Sequence, residues 1–274
     1  MKIWPILLVT ALLVACSDDD SDFAVRPSDG SSSSRVKPQS SDSETSVSSS
    51  SSEYKRVPCN VAKDENCMKD ERDGQTYRTV KIGDQVWMAE NLNYVYLQST
   101  EDLDSISFCY NDSAEYCEKY GRLYTWAAAM DSVGVWSTDA KGCGNNPSCF
   151  PSGTIRGICP EGWHLPSKDE WDTLLTVVGD SSVAGTRLKS TSWMDEIVGE
   201  NGSDDSGFMG LPAGNRNLYG NFIDEGENAY FWSSSEYNSH DGIGMDLLHD
   251  NNGRLSNSGK PYGYSVRCIK NSLE

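Results

Sequence analysis

The cysteines constrain what this chain can fold into more than any other feature. Eight of them, Cys59, Cys67, Cys109, Cys117, Cys143, Cys149, Cys159 and Cys268, lie in the C-terminal part, and a ninth, Cys16, closes an apolar N-terminal run. That run has the anatomy of an export signal, and an even set of cysteines in an exported chain reads as a disulfide framework. Three close pairs each bracket a polar turn: "CNVAKDENC", "CYNDSAEYC" and "CGNNPSC". Loop closure therefore favours Cys59–Cys67, Cys109–Cys117 and Cys143–Cys149, one pairing among the many that eight cysteines allow. Cys159 and Cys268 are left over, and their bond would tie the final strand to the middle of the domain. A zinc site is the rival reading, but there is no C-x-x-C pair and no histidine at ligand spacing.

At the N-terminus, "MKIWPILLVTALLVAC" offers Lys2, an apolar run from Ile3 to Ala15, and then Cys16. The run is too short to span a bilayer core. Its "LVAC" end resembles the lipobox of bacterial lipoproteins, where the signal is cut just before the cysteine. The resemblance implies a signal peptide over 1–15 and a lipidated Cys16, partnering the membrane through its acyl chains. Each buried methylene adds about 0.8 kcal/mol, so several chains on one residue anchor stably. Ser17 in the next position implies the outer membrane rather than the inner one. The following "SDDDSD" is similar to acidic signals that carry lipoproteins to the cell exterior. No other apolar run is long enough to span, so the remainder is expected to be soluble.

Residues 16–56 form a serine tract with scattered charges and almost no large apolar side chains. Such a stretch cannot bury enough surface to offset its ordering entropy, and it reads as a disordered tether with a coil dimension on the order of 35 Å. The remaining 57–274 is ample for one domain with a core. Of the chain's 41 acids and 23 bases, eight acids and five bases lie in 17–56 and Lys2 in the signal, leaving 33 acids against 17 bases in the domain. That balance repels a phosphate backbone, which excludes nucleic acid as a partner and leaves neutral glycans, cations or proteins.

Within the domain, "GQTYRTVKIGDQVWMAENL" reads as a hairpin turning at Gly83-Asp84, a pair suited to a type II′ turn. In "GWHLPSKDEWDTLL", Ser167 and Glu170 have capping-box spacing. Trp171, Leu174, Leu175 and Val178 then follow at the i, i+3, i+4, i+7 spacing of a helix laid on a core. Pro166 keeps that helix from extending backwards. "GRLYTWAAAM" favours helix, whereas "AYFWSSSEY", "GIGMDLLHD" and "YSVRCIK" favour strand. The class is α+β with much loop.

Six ordered blocks carry a more specific likeness: "DGQTYRTVKIGDQVWMAENLNY", "GRLYTWAAAM", "GICPEGWHLPSKDEWDTLL", "GFMGLPAGNR", "YFWSSSEY" and "YGYSVRCIK". Together they resemble the Fibrobacter succinogenes major paralogous domain over nearly the whole of 57–274. More distantly, "HLPSKDEW", "FWSSSEY" and "YSVRC" are similar to motifs of the formylglycine-generating-enzyme group. That likeness implies a C-type-lectin-like fold: a small twisted antiparallel sheet, two helices, long disulfide-stapled loops and neighbouring termini.

An oxidase of that group needs two free cysteines, and here every domain cysteine has a plausible disulfide partner. His164 could act as a base or ligand, or simply pack and hydrogen-bond within the fold. His240 and His249 lie far along the chain, and neither a nucleophile elbow nor a phosphate loop is present. No enzyme activity is expected. Calcium is a candidate cofactor at Asp204 and Asp205 in "NGSDDSG" and at Asp250 in "HDNNG", which are oxygen-rich turns lacking EF-hand spacing. For sugar stacking the candidates are Trp193, Tyr219 and Tyr237, while Trp232 reads as core. The expectation is a lipid-anchored, surface-exposed module of the outer membrane that binds an extracellular glycan or protein. A structural or assembly role in the envelope is the alternative, ahead of an oxidase.

Overall fold

The computed structural model describes residues 56–98, 105–145, 148–193 and 202–272. Cys16, the signal segment and the tether up to residue 55 lie outside the described residues. Arg56, assigned to the tether by composition, belongs to the domain. Its guanidinium donates to Thr76 O (2.6 Å) and Gln75 Oε1 (3.1 Å) and lies 4.5 Å over the Tyr77 ring.

In chain order the strands are β1 (Cys67–Lys69), β2 (Thr76–Ile82), β3 (Gln85–Met88), β4 (Leu97–Gln98), β5 (Ser105–Phe108), β6 (Leu123–Tyr124) and β7 (Trp163–His164). Then come β8 (Ala213–Arg216), β9 (Phe222–Glu225), β10 (Ala229–Glu236), β11 (Asp241–Leu247), β12 (Gly253–Gly259), β13 (Tyr264–Ser265) and β14 (Ile269–Lys270). The helices are α1 (Ala114–Tyr120), α2 (Trp126–Ala129), α3 (Lys168–Val178) and α4 (Ser181–Leu188). The class is α+β, as expected. Where the resemblance implies one small sheet and two helices, the described residues form two sheets and four α-helices. One sheet runs β1-β2-β3-β14-β7, the other β12-β11-β10-β13-β6-β5-β4, with the β8–β9 hairpin attached through β10. Pairing is antiparallel except where β13 and β8 each join β10 in parallel. "YSVRCIK" is not one strand but two short ones, because its first residues pair in the second sheet and its last in the first.

Local chemistry explains the elements that sequence makes legible. Gly83 has φ +60°, the positive value that a II′ turn places at its first central position. Ser167 and Glu170 form the complete capping box, and α3 ends on Gly179 at φ 110°. Its stripe of Trp171, Leu174, Leu175 and Val178 is buried against Trp87, Phe208, Phe231 and Leu247. Burying each such side chain is worth about 1.5–3 kcal/mol. A second core gathers Trp126, Trp232, Tyr124 and Tyr264 around Cys159 and Cys268. Trp126 lies so close to β11 that a Cβ at residue 242 would stand 2.7 Å from its ring, so only glycine fits there.

All eight domain cysteines are bonded, as Cys59–Cys67, Cys109–Cys117, Cys143–Cys149 and Cys159–Cys268. This is the pairing that loop closure favours. All described residues belong to one compact unit, Ser51–Glu274. No described helix is long and apolar enough to cross a membrane.

Candidate binding site

The structure scatters the residues that sequence singles out. Trp193 is the clear correction. It is only 4 % exposed, its indole N–H donates to Gly210 O at 2.6 Å, and Lys189 Nζ sits 4.5 Å over its ring. It belongs to the apolar cluster of Trp171, Leu188 and Phe208, so it is core and not a sugar platform. Its polar neighbours in sequence gave no hint of a cover arriving from later in the chain. Tyr219 (81 % exposed) and Tyr237 (59 %) do face solvent, but on different hairpins, after β8 and after β10.

The calcium candidates also stay apart in function. Asp204 accepts from Met209 N–H, and Asp250 accepts from both N–H groups of Asn252. Burial would raise the Asp250 carboxyl, but those bonds hold it below its ordinary value. Asp205 is exposed and helps line a cavity of about 450 Å3 with Lys81, Gly83, Val177 and Arg187. Among the described residues no group of three or more His, Cys, Asp or Glu side chains gathers to hold a metal.

His164 turns out to be part of the framework. Its Nε2 bonds Glu170 Oε1 (2.8 Å) and its Nδ1 bonds Asn271 Oδ1 (2.7 Å), so one ring joins β7, the cap of α3 and the C-terminal segment. Burial pushes Glu170 up, but the bonds from His164 and Ser167 outweigh it and hold the carboxyl below its usual range.

The arrangement that local rules do not account for lies where β10, β11, β12 and β13 meet. Register places Tyr230 opposite Asp246 and Asp246 opposite Arg254. Parity along β11 then puts Asp246 on the face shared with Gly242 and Gly244, away from Met245 and Leu247. Tyr264 covers Gly244 and stacks on Trp232 (4.4 Å) and on Tyr230 (5.0 Å). The Tyr264 hydroxyl meets Ser258 Oγ at 2.7 Å. At the outer end of Tyr230, its hydroxyl donates to Asp224 Oδ2 (2.7 Å), which also accepts from Asn215 Nδ2 (3.1 Å).

This aromatic face is underlain by acceptors with nothing to accept. Asp246 is 4 % exposed and Asn215 3 %, yet Asp246 Oδ1 and Asn215 Oδ1 complete no well-formed hydrogen bond within the protein, the Ser256 hydroxyl offering Asp246 only a loose one. Leaving such a group dry and unpaired costs about 1–3 kcal/mol, more when charged. Arg254 Nε stands 3.8 Å from Asp246 Oδ2 and its side chain is 57 % exposed, so its screening is weak. Burial lifts the Asp246 carboxyl from 3.8 to about 6, with the nearby Ser256 hydroxyl and Arg254 only tempering the rise. In sequence the sole sign of this is an acid inside the apolar "GMDLL".

The family model for the Fibrobacter succinogenes major domain matches residues 80–270, which takes in the last part of β2, every later strand and all the residues of this face. The chain belongs to that family. No curated protein and no solved structure matches it. Of the four disulfides, Cys59–Cys67 alone lies outside the matched stretch of the Fibrobacter succinogenes major domain.

A buried acid with a raised pKa opposes folding once it ionises. Below its unfolded value near 3.8 both states are protonated and Asp246 is neutral in effect. Between about 3.8 and about 6 the unfolded state ionises while the folded one stays protonated, so a cost builds with pH; above about 6 it applies in full, up to about 3 kcal/mol. Asp246→Asn in this Fibrobacter succinogenes major domain should therefore add about 1–3 kcal/mol of stability at pH 7.5 and almost none at pH 4. Urea unfolding at the two pH values checks it, and an equal gain at both would remove the buried-charge explanation.

Proposed function

We propose that this protein is a lipid-anchored module of the outer membrane, exposed at the cell surface, that binds extracellular glycan or protein and performs no catalysis. The observation that carries the binding role is the set of unpaired acceptors, Asp246 Oδ1 and Asn215 Oδ1, buried beside the Tyr230–Tyr264 stack. Folding alone gives no reason to keep an acid there, since an amide or an apolar residue would cost less. Sites retained against stability are characteristic of function. The non-catalytic reading is supported by the bonded sulfurs, which offer neither nucleophile nor metal ligand, so an oxidase of the formylglycine-generating type lacks its cysteine pair.

A C-type-lectin-like fold is the finer architectural proposal. It is supported by the C-terminal strand β14 inserted between β3 and β7, and by the long-range Cys159–Cys268 bond. The "LVAC" junction and the serine tract support the anchor and tether.

Two measurements test the reading. Palmitate labelling of expressing cells should mark the chain through Cys16 and vanish in Cys16→Ser. The mature chain in detergent, applied to a glycan array and to surface extracts, should give a specific signal that is lost in Tyr230→Ala, a change outside the fully buried core. Uniform silence in both would favour the envelope-structural alternative instead.

A further inference from the structure

The unpaired atoms of this face share a chemical sign. Asp246 Oδ1 and Asn215 Oδ1 are acceptors, and the Ser256 hydroxyl, directed at Asp246 as a weak donor, leaves its own oxygen lone pairs as further acceptors. A ligand that completes the face must therefore bring donors. A sugar hydroxyl brings an acceptor with each donor, whereas an ammonium or guanidinium brings donors alone. Three further observations agree. Tyr264, 4 % exposed, is stacked between Trp232 and Tyr230, and it backs the half-buried Tyr230 ring, the one whose π-system a cation can approach. Two acids, Asp224 and Asp246, flank these rings, and Arg254 is the cation beside Asp246. That arginine reaches only Oδ2 and does so from an exposed position at 3.8 Å, which marks the group the acid accepts without satisfying it.

We propose that the face takes the lysine or arginine side chain of a protein partner, whose cation displaces Arg254 and bonds Asp246. This deepens the binding role proposed above and rests on it. The domain's excess of 33 acids over 17 bases, counted from residue 57, makes a basic partner segment the complementary one. The groups facing Asp246 are Arg254 and Ser256 on β12, Tyr230 on β10 and Tyr264 on β13, with Asp224 on β9 beyond Tyr230. Of these, Asp246 is the one that gains its charge between pH 5 and pH 7.5, so binding of a cation should strengthen about tenfold as pH rises over that interval and weaken by as much when it falls.

The probes are tetralysine and tetra-arginine peptides, titrated calorimetrically into the mature chain at about 0.15 M salt. Methyl glycosides serve as neutral comparators. Asp246→Asn should weaken peptide binding at least tenfold, while Asp205→Asn, which removes the same charge from an exposed loop, should change it less than twofold. Arg254→Ala should strengthen it severalfold. Equal losses in Asp246→Asn and Asp205→Asn would mean non-specific attraction and overturn the proposal. Glycoside binding that depends on Asp246, with no peptide binding, would overturn the cation while leaving the binding module standing. Silence toward both probe classes would overturn the cation too, and the array experiment then decides the module.

Discussion

Removing the Cys159–Cys268 bond as a Cys159→Ala/Cys268→Ala pair should lower the stability of the domain by about 4–5 kcal/mol. The two cysteines are 109 residues apart in sequence, and a crosslink that closes a loop of that order removes the most freedom from the unfolded chain. Both sulfurs are completely buried in the core around Trp126 and Trp232, so truncation also opens space that the surrounding rings cannot fill. With about 2–4 °C per kcal/mol for a domain of this size, the midpoint should fall on the order of 10–15 °C. The matched Cys143→Ala/Cys149→Ala pair closes a loop with a separation of only 6 and should cost about 2 kcal/mol. Thermal unfolding of the two variants under non-reducing conditions makes the comparison. Equal effects would show that loop length does not govern these bonds.

Lys260→Met should cost about 3–5 kcal/mol, because it strands a buried acid. Lys260 and Glu236 are 0 % and 1 % exposed at their side chains and meet at 2.5 Å. Lys260 also donates to Ser239 O and lies 4.6 Å over the Trp126 ring. Burial pushes the Glu236 carboxyl up, but Lys260 and the N–H groups of Phe150 and Cys149 outweigh it and hold the acid below its usual value. Its contribution is therefore present above the unfolded value of about 4.5 and lost as pH falls through the lower folded one. Without Lys260 the carboxylate keeps two backbone donors but no counter-charge. The double variant Lys260→Met/Glu236→Gln should recover at least half of the loss, since the desolvated charge goes with its partner. If the double variant is as unstable as the single, packing around Trp126, and not charge, is what Lys260 supplies.

Residue by residue, the legible parts are those whose partners lie close in sequence. The capping box of Ser167 and Glu170 spans three residues, the Gly83-Asp84 turn joins adjacent strands, and three disulfides close loops with separations of 6 or 8. Cys159–Cys268 became legible only by elimination after those three. Trp193 reads as a surface residue in sequence because the partner that holds it inside, Gly210 O, comes from beyond its own polar stretch. His164 fits chemistry and framework equally well in sequence, because the partner that fixes its role, Asn271, lies more than a hundred residues on.

What the sequence determined by itself, then, is the disulfide framework of the domain, its α+β class and its family membership. Each follows from short-range spacing or from ordered motifs, which survive reading in one dimension. The face around Asp246 was decided by the tertiary structure alone. Its tyrosines, acids and arginine come from five strands, β9 to β13, and only their pairing registers bring an acid that looks incidental in "GMDLL" beneath two stacked rings. Burial and lost hydrogen bonds are properties of that packing, and no local pattern of residues encodes them.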